Sequence, residues 1–243
     1  MEYRGLTETS ESQSVDHQRP TEGTTAPYAL SQKPFPRLVW RPTPLWKRSL
    51  DVVGSATLLV FLSPFLLAIA LYIRCVSRGP AIFRQSRLGE MGDYFTIYKF
   101  RTMQACDPHL ATSLHRAYVS SLADSNEAVS KPDCSHRLIP GGSLLRRCSL
   151  DELPQLFNVL LGNMSLIGPR PDVLEWSDYS EWQLRRFEVK PGISGLWQVS
   201  GKNRLSFARM MELDIEYVER RSFLFDIWIA YETVKMILTN DNC

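Results

Sequence analysis

Cysteine is scarce in this chain, and the few cysteines it has exclude two common uses. The 243 residues include five cysteines, an odd number, and none of them forms a CxxC pair. A disulfide framework pairs its cysteines, and zinc knuckles place thiolates at such short spacings. We therefore expect reduced thiols in a cytoplasmic setting.

Net charge is low, and a secretory signal is missing. With 28 Lys and Arg against 26 Asp and Glu, the formal net charge is only +2. A protein that binds nucleic acid electrostatically usually has a strong basic excess, so we expect no nucleic-acid partner. The chain does not open with a short apolar segment and a small-residue cleavage site, which argues against secretion.

Composition divides the chain into a tail, an apolar helix and one domain. Residues 1–43 are rich in Ser, Thr, Glu, Gln and Pro and lack apolar periodicity. Such a segment buries too little surface to offset its ordering entropy, so we predict a disordered tail. We predict a membrane helix over 44–74 and one globular domain over 75–240, in which the polar stretch 104–137 is a variable surface insertion.

One run contains no charged residue at all. It extends from Val52 to Ile73, which is 22 residues. As a helix it would be ~33 Å long, enough for a hydrocarbon core of ~30 Å. Ser63 and Pro64 lie at its centre, where proline removes an N–H group and clashes with the preceding turn. The sequence therefore predicts two half-helices with a bend.

Basic residues flank this run on both sides. A single span favours one basic end, whereas two basic ends favour a re-entrant helix that enters and leaves through the same leaflet. A full span remains open, and a buried core helix of a soluble protein is disfavoured because uncharged runs of this length are rare there. The flanking residues are Arg37, Arg41, Lys47 and Arg48 before the run, and Arg74, Arg78, Arg84 and Arg87 after it.

A hairpin is predicted directly after the helix. Residues alternate between apolar and polar across Tyr94 to Phe100, and a turn signal precedes this stretch at residues 91–93. The hairpin would display Arg84, Lys99 and Arg101. A solvated basic face and a binding site for an anion are equally good interpretations of these three residues.

The acidic pair Asp151 and Glu152 is the most informative feature of the sequence. It lies in the string RRCSLDELPQL, residues 146–156. Ser149 and Glu152 match a capping box, which is an ordinary structural role. Pro154 conflicts with a helix that starts at Ser149, because its missing N–H would leave one bond unmade. A helix that starts near Asp151 avoids this conflict and would let free N–H groups and the two preceding arginines hold a phosphate.

A single arginine, Arg170, lies between Pro169 and Pro171. Such a stiff loop fixes the direction of the guanidinium and suits bidentate binding of phosphate. Together with the carboxylate pair and the apolar helix, it indicates phosphoryl chemistry at a bilayer surface. Phe223 to Leu238 is apolar at helical spacing, which fits an interfacial helix and fits core packing equally well.

Several strings, in this order, resemble one known family. They are KRSLD, the apolar helix with its central SP, GPAIFRQSRLGEMGDYFTIYKFRTM, LRRCSLDELPQLFNVLLGNMSLIGPRP, KPGISGLWQVSGKN and ELDIEYV. The chain resembles the bacterial sugar transferases, which are monotopic polyprenyl-phosphate phosphoglycosyl transferases. The resemblance covers about Trp46 to Leu238, apart from the insertion. It implies a mixed α/β fold with a re-entrant helix, a small strand-bearing domain and interfacial amphipathic helices, facing the cytoplasm at the bacterial inner membrane.

The resemblance also implies an activity. The family transfers a sugar-1-phosphate from a nucleotide diphosphate sugar, here expected to be a UDP-sugar, to polyprenyl phosphate and releases UMP, with Mg²⁺ as cofactor. By resemblance, Asp151 is the nucleophile that forms a covalent phosphoglycosyl intermediate, and Glu152 assists as base or metal partner. The GLWQVSG string is similar to members that initiate exopolysaccharides, and downstream glycosyltransferases are candidate partners. The alternatives are a membrane-anchored scaffold without catalysis, and a one-step enzyme in which Asp151 only holds metal.

Further residues match family positions. Lys202 stands where the family commonly has arginine, and lysine keeps the charge but loses the bidentate fork. By resemblance, the residues that bind phosphate or nucleotide are Arg146, Arg170, Pro171, Lys99, Arg101 and Lys202. Those that seat the helix at the membrane interface are Lys47, Arg48, Asp51, Ser63 and Pro64.

Overall fold

The computed structural model describes residues 38–104, 137–201 and 205–239, which form a mixed fold of helices and short strands, as predicted. Most of the predicted tail and insertion, and Lys202, lie outside the described residues. The elements are α1 (Leu45–Val76), β1 (Ile82–Leu88), β2 (Tyr94–Phe100), α2 (Gly142–Arg147), α3 (Gln155–Leu161), β3 (Ser165–Ile167), β4 (Gly192–Ser194), α4 (Leu196–Val199), α5 (Phe207–Arg220) and α6 (Phe223–Leu238).

Helix α1 runs without interruption for 32 residues, through Pro64. The break in the helix predicted at this proline is therefore wrong. Pro64 has no N–H group to donate to the carbonyl of Val60, four residues earlier. The hydroxyl of Ser63 donates to that carbonyl instead, at 2.8 Å, so the oxygen is satisfied and the helix continues.

The two halves of α1 bury different kinds of side chain. In the first half, Lys47, Asp51 and Ser55 are buried at a spacing of four residues, which places them on one face of the helix. In the second half, Ile69 and Ile73 are buried and pack in a cluster with residues of β2 and α2. By length and apolar composition α1 is able to cross a membrane.

Strands β1 and β2 form the predicted antiparallel hairpin, in a register that pairs Phe83 with Lys99 and Arg84 with Tyr98. Side chains alternate between the two faces of a hairpin. Lys99 and Arg84 therefore lie on opposite faces, and the guanidinium of exposed Arg84 stacks over the Tyr98 ring at 5.8 Å. The basic cluster that the sequence predicted on this hairpin is divided between its faces.

Strands β3 and β4 form a second, parallel pair that supports a loop rich in glycine and proline. A Cβ atom on Gly192 would lie 2.1 Å from the backbone nitrogen of Gly168, so only glycine permits this approach. Behind these strands, α5 and α6 contribute Tyr217, Val218 and Ile229 to a buried apolar cluster with Ile167. Because Ile167, the last residue of β3, belongs to this cluster, the loop that follows β3 begins at a residue packed in the core.

The folded part of the chain includes residues that the sequence assigned to the tail. Arg41 donates from its backbone N–H to the carbonyl of Glu188 at 3.1 Å, and its Nε lies 3.1 Å from a carboxylate oxygen of the same residue. The backbone N–H of Val39 donates to the other carboxylate oxygen. The segment before α1 is thus bound to the domain that follows α1.

Candidate active site

The acidic pair lies in a single 3₁₀ turn, Leu150–Glu152, between α2 and α3. Helix α3 begins only at Gln155, with Pro154 in the N-cap position, so the prediction that a helix starts at Asp151 is wrong. Proline at this point has the φ that a helix needs and leaves no bond unmade, because the first N–H groups of a helix have no partner within it.

Ser149 turns the chain just before the pair. Its φ of 55° lies in the left-handed region, which is uncommon for a residue other than glycine. Its side chain makes no capping hydrogen bond, so the capping box that the sequence matched is absent in this described turn. Strained backbone of this kind is often found at functional sites.

Glu152 is enclosed by two cations. Nη1 of Arg170 donates to Oε2 at 2.9 Å, and Nη2 of the same guanidinium donates to Oε1. Lys99 also donates to Oε1, at 3.0 Å. Burial alone would raise the pKa of Glu152, but the charges of Arg170 and Lys99 outweigh it and hold this pKa well below its usual range. Glu152 is therefore ionised at every pH of interest.

Asp151 differs from its neighbour. Burial, and then the charge of Glu152, raise the pKa of Asp151 to about 6, against the opposing effects of Lys99, Arg146 and Arg170. Within the described residues, no hydrogen bond or ion pair engages its carboxylate. The pair thus consists of one carboxylate bound by cations and one poorly solvated carboxylate without such partners among the described residues.

These contacts decide which carboxylate suits a metal ion. Both oxygens of Glu152 already accept hydrogen bonds, whereas those of Asp151 do not. No group of three or more His, Cys, Asp or Glu side chains is placed to hold a metal anywhere in the described ranges. Mg²⁺ commonly binds one or two carboxylates together with substrate phosphates and water. Asp151 fits that mode of binding.

Arg87 is a basic residue of this cluster to which the sequence analysis assigned no role. Burial lowers its pKa to about 10, and the charge of Asp172 opposes the shift. Its buried Nε has no partner, and one Nη donates to Gln85 at 2.7 Å. Arg87 pairs with Phe95 in the hairpin, which places it on the same face as Lys99. The alternation of side chains between the two faces of the hairpin is the sequence signal that could have linked Arg87 to Lys99.

Arg101 and Arg146 lie apart from the Glu152 cations. Arg101 is buried and donates to the carbonyls of Arg78 at 2.5 Å and Ser77 at 3.0 Å, so it holds the chain where α1 ends. Arg146 is exposed in the last turn of α2. Pro171 lies in the loop beside Arg170, and the substrate-binding roles of these residues stay predictions.

Three of the residues assigned to the membrane interface, Lys47, Arg48 and Asp51, join the first half of α1 to the domain. The interfacial role of these three and of Ser63 and Pro64 stays a prediction. Lys47 binds β3 and α6, Arg48 binds α3, and Asp51 binds β3. Lys47 donates to the carbonyl of Ile167 at 2.9 Å and to Asp226 at 2.5 Å, Arg48 donates to the carbonyls of Val159 at 2.7 Å and Leu160 at 2.9 Å, and Asp51 accepts from Ser165 and from the N–H of Leu166, both at 2.9 Å.

A half-buried carboxylate pair with arginine and lysine, in a chain with a long apolar helix, is the arrangement expected of a membrane-associated enzyme. The model of the bacterial sugar transferase family matches residues 43–240. The chain therefore belongs to the bacterial sugar transferase family.

Three relatives illustrate the match. EpsL of Bacillus subtilis, named as an uncharacterized sugar transferase, is 38% identical over 80% of this chain and 88% of its own length. A UDP-glucose:undecaprenyl-phosphate glucose-1-phosphate transferase of Caulobacter vibrioides is 37% identical over 86% of this chain and 74% of its own. The exopolysaccharide production protein ExoY of Rhizobium meliloti is 33% identical over 79% and 84%.

Proposed function

We propose that this enzyme transfers a sugar-1-phosphate from a UDP-sugar to polyprenyl phosphate and releases UMP, as the first membrane step of exopolysaccharide assembly. The observation that carries the proposal is the contrast within the acidic pair. Asp151 has a raised pKa and makes no ion pair with any described residue, while Glu152 is bound by Arg170 and Lys99. A scaffold protein has no need of a half-buried carboxylate without a partner, because such a group destabilises the fold.

The reaction proceeds in two displacements at one phosphorus. A carboxylate oxygen of Asp151 attacks the donor phosphorus that bears the sugar, and the bond from that phosphorus to the bridging oxygen breaks. UMP leaves with the bridging oxygen, and an acyl phosphate joins Asp151 to the sugar phosphate. An oxygen of polyprenyl phosphate then attacks the same phosphorus and releases the carboxylate. The product is a polyprenyl diphosphate sugar.

Glu152 acts through the cations that it holds. Its two oxygens fix the guanidinium of Arg170 and the ammonium of Lys99 beside Asp151. These cations offset the repulsion between an attacking carboxylate and an anionic diphosphate, and preorganised charge of this kind stabilises the transition state. Because Glu152 stays ionised, it also keeps the pKa of Asp151 high, which makes that carboxylate a better nucleophile.

Mg²⁺ would be held by Asp151 together with phosphate oxygens of the donor. The ion supplies charge neutralisation on the diphosphate, which is its common role in phosphoryl transfer. Glu152 would contribute to its binding only through the overall negative charge of the pair.

The attachment of α1 supports a re-entrant, monotopic arrangement. Both ends of α1 pack on the same domain: Lys47, Asp51 and Ser55 at one end, and Ile69 and Ile73 at the other. The stretch between Ser55 and Ile69, residues 56–68, has no buried residue and is about 20 Å of helix. A hydrocarbon core is ~30 Å thick. Contact of both ends with one domain supports the proposal that the domain lies on one side of the bilayer.

The surface of α1 and its neighbours supports contact with lipid. In the first half of α1 the buried residues are polar and most of the exposed ones are apolar, the reverse of a soluble protein. Exposed apolar residues continue onto α3 and α6, which would lie at the interface. They include Val53, Val60, Phe61, Phe65, Leu67 and Leu71 on α1, Phe157 and Leu161 on α3, and Leu224, Ile227, Tyr231, Val234 and Leu238 on α6. This surface supports contact with a membrane, and we propose that the domain lies on the cytoplasmic face of the inner membrane, in keeping with the expectation of reduced thiols.

The proposal is tested by UMP release from a panel of UDP-sugars, with and without polyprenyl phosphate and Mg²⁺. The native chain is compared with Asp151→Asn, and Asp93→Asn, an exposed turn residue, is the matched control. We expect release from at least one donor with the native chain and the control, and a loss of at least ~100-fold in Asp151→Asn. Absence of UMP with every donor would contradict the proposal.

The covalent step has its own test. The native chain is incubated without acceptor and with a donor that carries a label in its sugar. The protein is then denatured, and its intact mass is measured by mass spectrometry. A mass increase of one sugar phosphate, absent in Asp151→Asn and removed by polyprenyl phosphate, is expected. UMP release that strictly requires the acceptor, with no adduct, would favour the one-step reaction instead.

A further inference from the structure

The loop that contains Arg170 is held by its carbonyls. Pro169 and Pro171 have no N–H groups, so these two residues donate no backbone bonds. The carbonyl of Pro169 accepts from the N–H of Gly192 at 2.9 Å. The carbonyl of Arg170 accepts from Nη2 of Arg186 at 2.5 Å. The backbone position of Arg170 therefore depends on a side chain that lies outside the acidic pair.

Arg186 is itself fixed on several sides. Its Nη2 lies 2.7 Å from Oδ2 of Asp214, and the two side chains are 3% and 0% exposed. Nη1 donates to the hydroxyl of Tyr179 at 3.1 Å. The guanidinium also lies over the rings of Tyr179 and Phe187, each centroid at 5.6 Å. A guanidinium that is held in this way has one orientation.

We propose that Asp214 and Arg186 are positioning residues for the transfer reaction, which fix the Arg170 carbonyl so that its guanidinium binds Glu152 through two bonds. This inference rests on the proposed function for its kinetic consequence. The connection runs from Asp214 in α5, through Arg186 and the loop carbonyl, to Arg170 and Glu152. Neither Asp214 nor Arg186 contacts the carboxylate that reacts.

The contacts of Arg186 explain why the carboxylate of Asp214 lies in the core of the domain. Removing an ion from water is costly, and a buried ion pair is weak evidence for stability by itself. Here the ion pair with Asp214 orients the guanidinium of Arg186 towards the carbonyl of Arg170. The prolines on either side of Arg170 have no N–H groups with which to hold this loop. A bidentate contact loses its geometry when the backbone shifts by about 1 Å, and the rate falls with it.

Asp214→Asn tests the inference because it retains the shape of the side chain and removes its charge. Glu188→Gln is the matched control, since Glu188 is also buried, belongs to the same 3₁₀ segment as Arg186 and faces Arg41 instead of the loop. We expect Asp214→Asn to lower kcat/KM about tenfold, mostly in kcat, and Glu188→Gln to change it less than about twofold.

A double-mutant cycle separates positioning from general damage. In an Arg170→Lys background the bidentate contact is already lost, so Asp214→Asn should lower kcat/KM less than about twofold further. Additive losses in the double variant would overturn the inference.

A readout that does not depend on activity completes the test. Hydrogen exchange of the backbone amides of Gly168, Arg170 and Asp172 should be about tenfold faster in Asp214→Asn and in Arg186→Lys than in the native chain, and unchanged in Glu188→Gln. Equal exchange in all four chains would exclude the positioning role. If the native chain released no UMP but the exchange pattern were as expected, the proposed function would fail and the structural link would remain.

Discussion

Arg170 binds Glu152 through both ends of its guanidinium, although 18 residues and a helix separate them in the chain. Planar bidentate contact of this kind fixes direction as well as distance. As a result, the carboxylate of Glu152 is neutralised by its own partners, whereas that of Asp151 has none among the described residues. In the proposed reaction the two acidic residues have different roles because their surroundings differ.

The pH dependence of the reaction should follow Asp151. Its reactive form is the carboxylate, and its pKa is raised to about 6. The reactive form is therefore lost as pH falls through that value. We expect kcat/KM to be level above about pH 7 and to fall about tenfold per pH unit well below 6. Initial rates of UMP release between pH 5 and 8 measure this, and a level profile down to pH 5 would contradict it.

Glu152→Gln should move that acid limb to lower pH. The charge of Glu152 raises the pKa of Asp151, whereas Lys99 and Arg170 lower it. Without the neighbouring negative charge the two cations act on Asp151 alone, so its pKa falls. We also expect a lower maximal rate, because Arg170 and Lys99 lose the acceptor that orients them. The same rate profile, with Asp93→Asn as control, provides the measurement.

Arg170→Lys should impair the reaction more than a surface replacement of the same kind. Lysine retains the charge and cannot make two parallel bonds to Glu152. We expect kcat/KM to fall about 10- to 100-fold. Arg209→Lys, in an exposed pair with Glu212, is the matched control and should change the rate less than about twofold. Equal effects of the two replacements would show that charge alone is required.

Asp151→Asn should stabilise the fold at neutral pH while it removes activity. The folded pKa of Asp151, about 6, lies above the ordinary value of 3.8, so its stability contribution is present at low pH and lost as pH rises through 6. The amide of Asn at position 151 avoids this loss, so the unfolding free energy should rise by on the order of 1 kcal/mol above pH 7. Thermal unfolding of both chains in detergent should give Asp151→Asn a higher melting temperature at pH 7.5, and a smaller difference in melting temperature near pH 4.

Lys47→Met should loosen the attachment of α1. The ammonium of Lys47 is 2.5 Å from Asp226, and both side chains are almost fully buried. Removing one partner leaves a buried charge, which costs about 3–5 kcal/mol. Lys235→Met, from an exposed pair with Glu232, should change the unfolding free energy by less than about 1 kcal/mol. Denaturant unfolding compares the two, and equal stabilities would contradict the anchoring role.

Part of this protein follows from local sequence. The hairpin was predicted because period-two alternation and a turn signal agree, and the end of α3 at Gly162 follows from the left-handed conformation that glycine adopts there. The long helix was recognised by its uncharged run. Its continuity through Pro64 was missed, since proline rules do not include the compensating bond from the hydroxyl of Ser63.

Sequence also identified the candidate residues for the chemistry, because adjacent carboxylates and an arginine between two prolines are visible in it. Only the tertiary structure decided what each residue contacts. Lys99, Arg170 and Glu152 come from a strand, a loop and a turn that meet in space, and a pKa depends on those distances and on burial. The resemblance assigned Arg101 to phosphate binding and Lys47 to the membrane interface, and these roles stay predictions. In the fold the two side chains bind carbonyls and a carboxylate. The role of a charged side chain follows from the partners that folding places beside it, and residue type alone does not specify them.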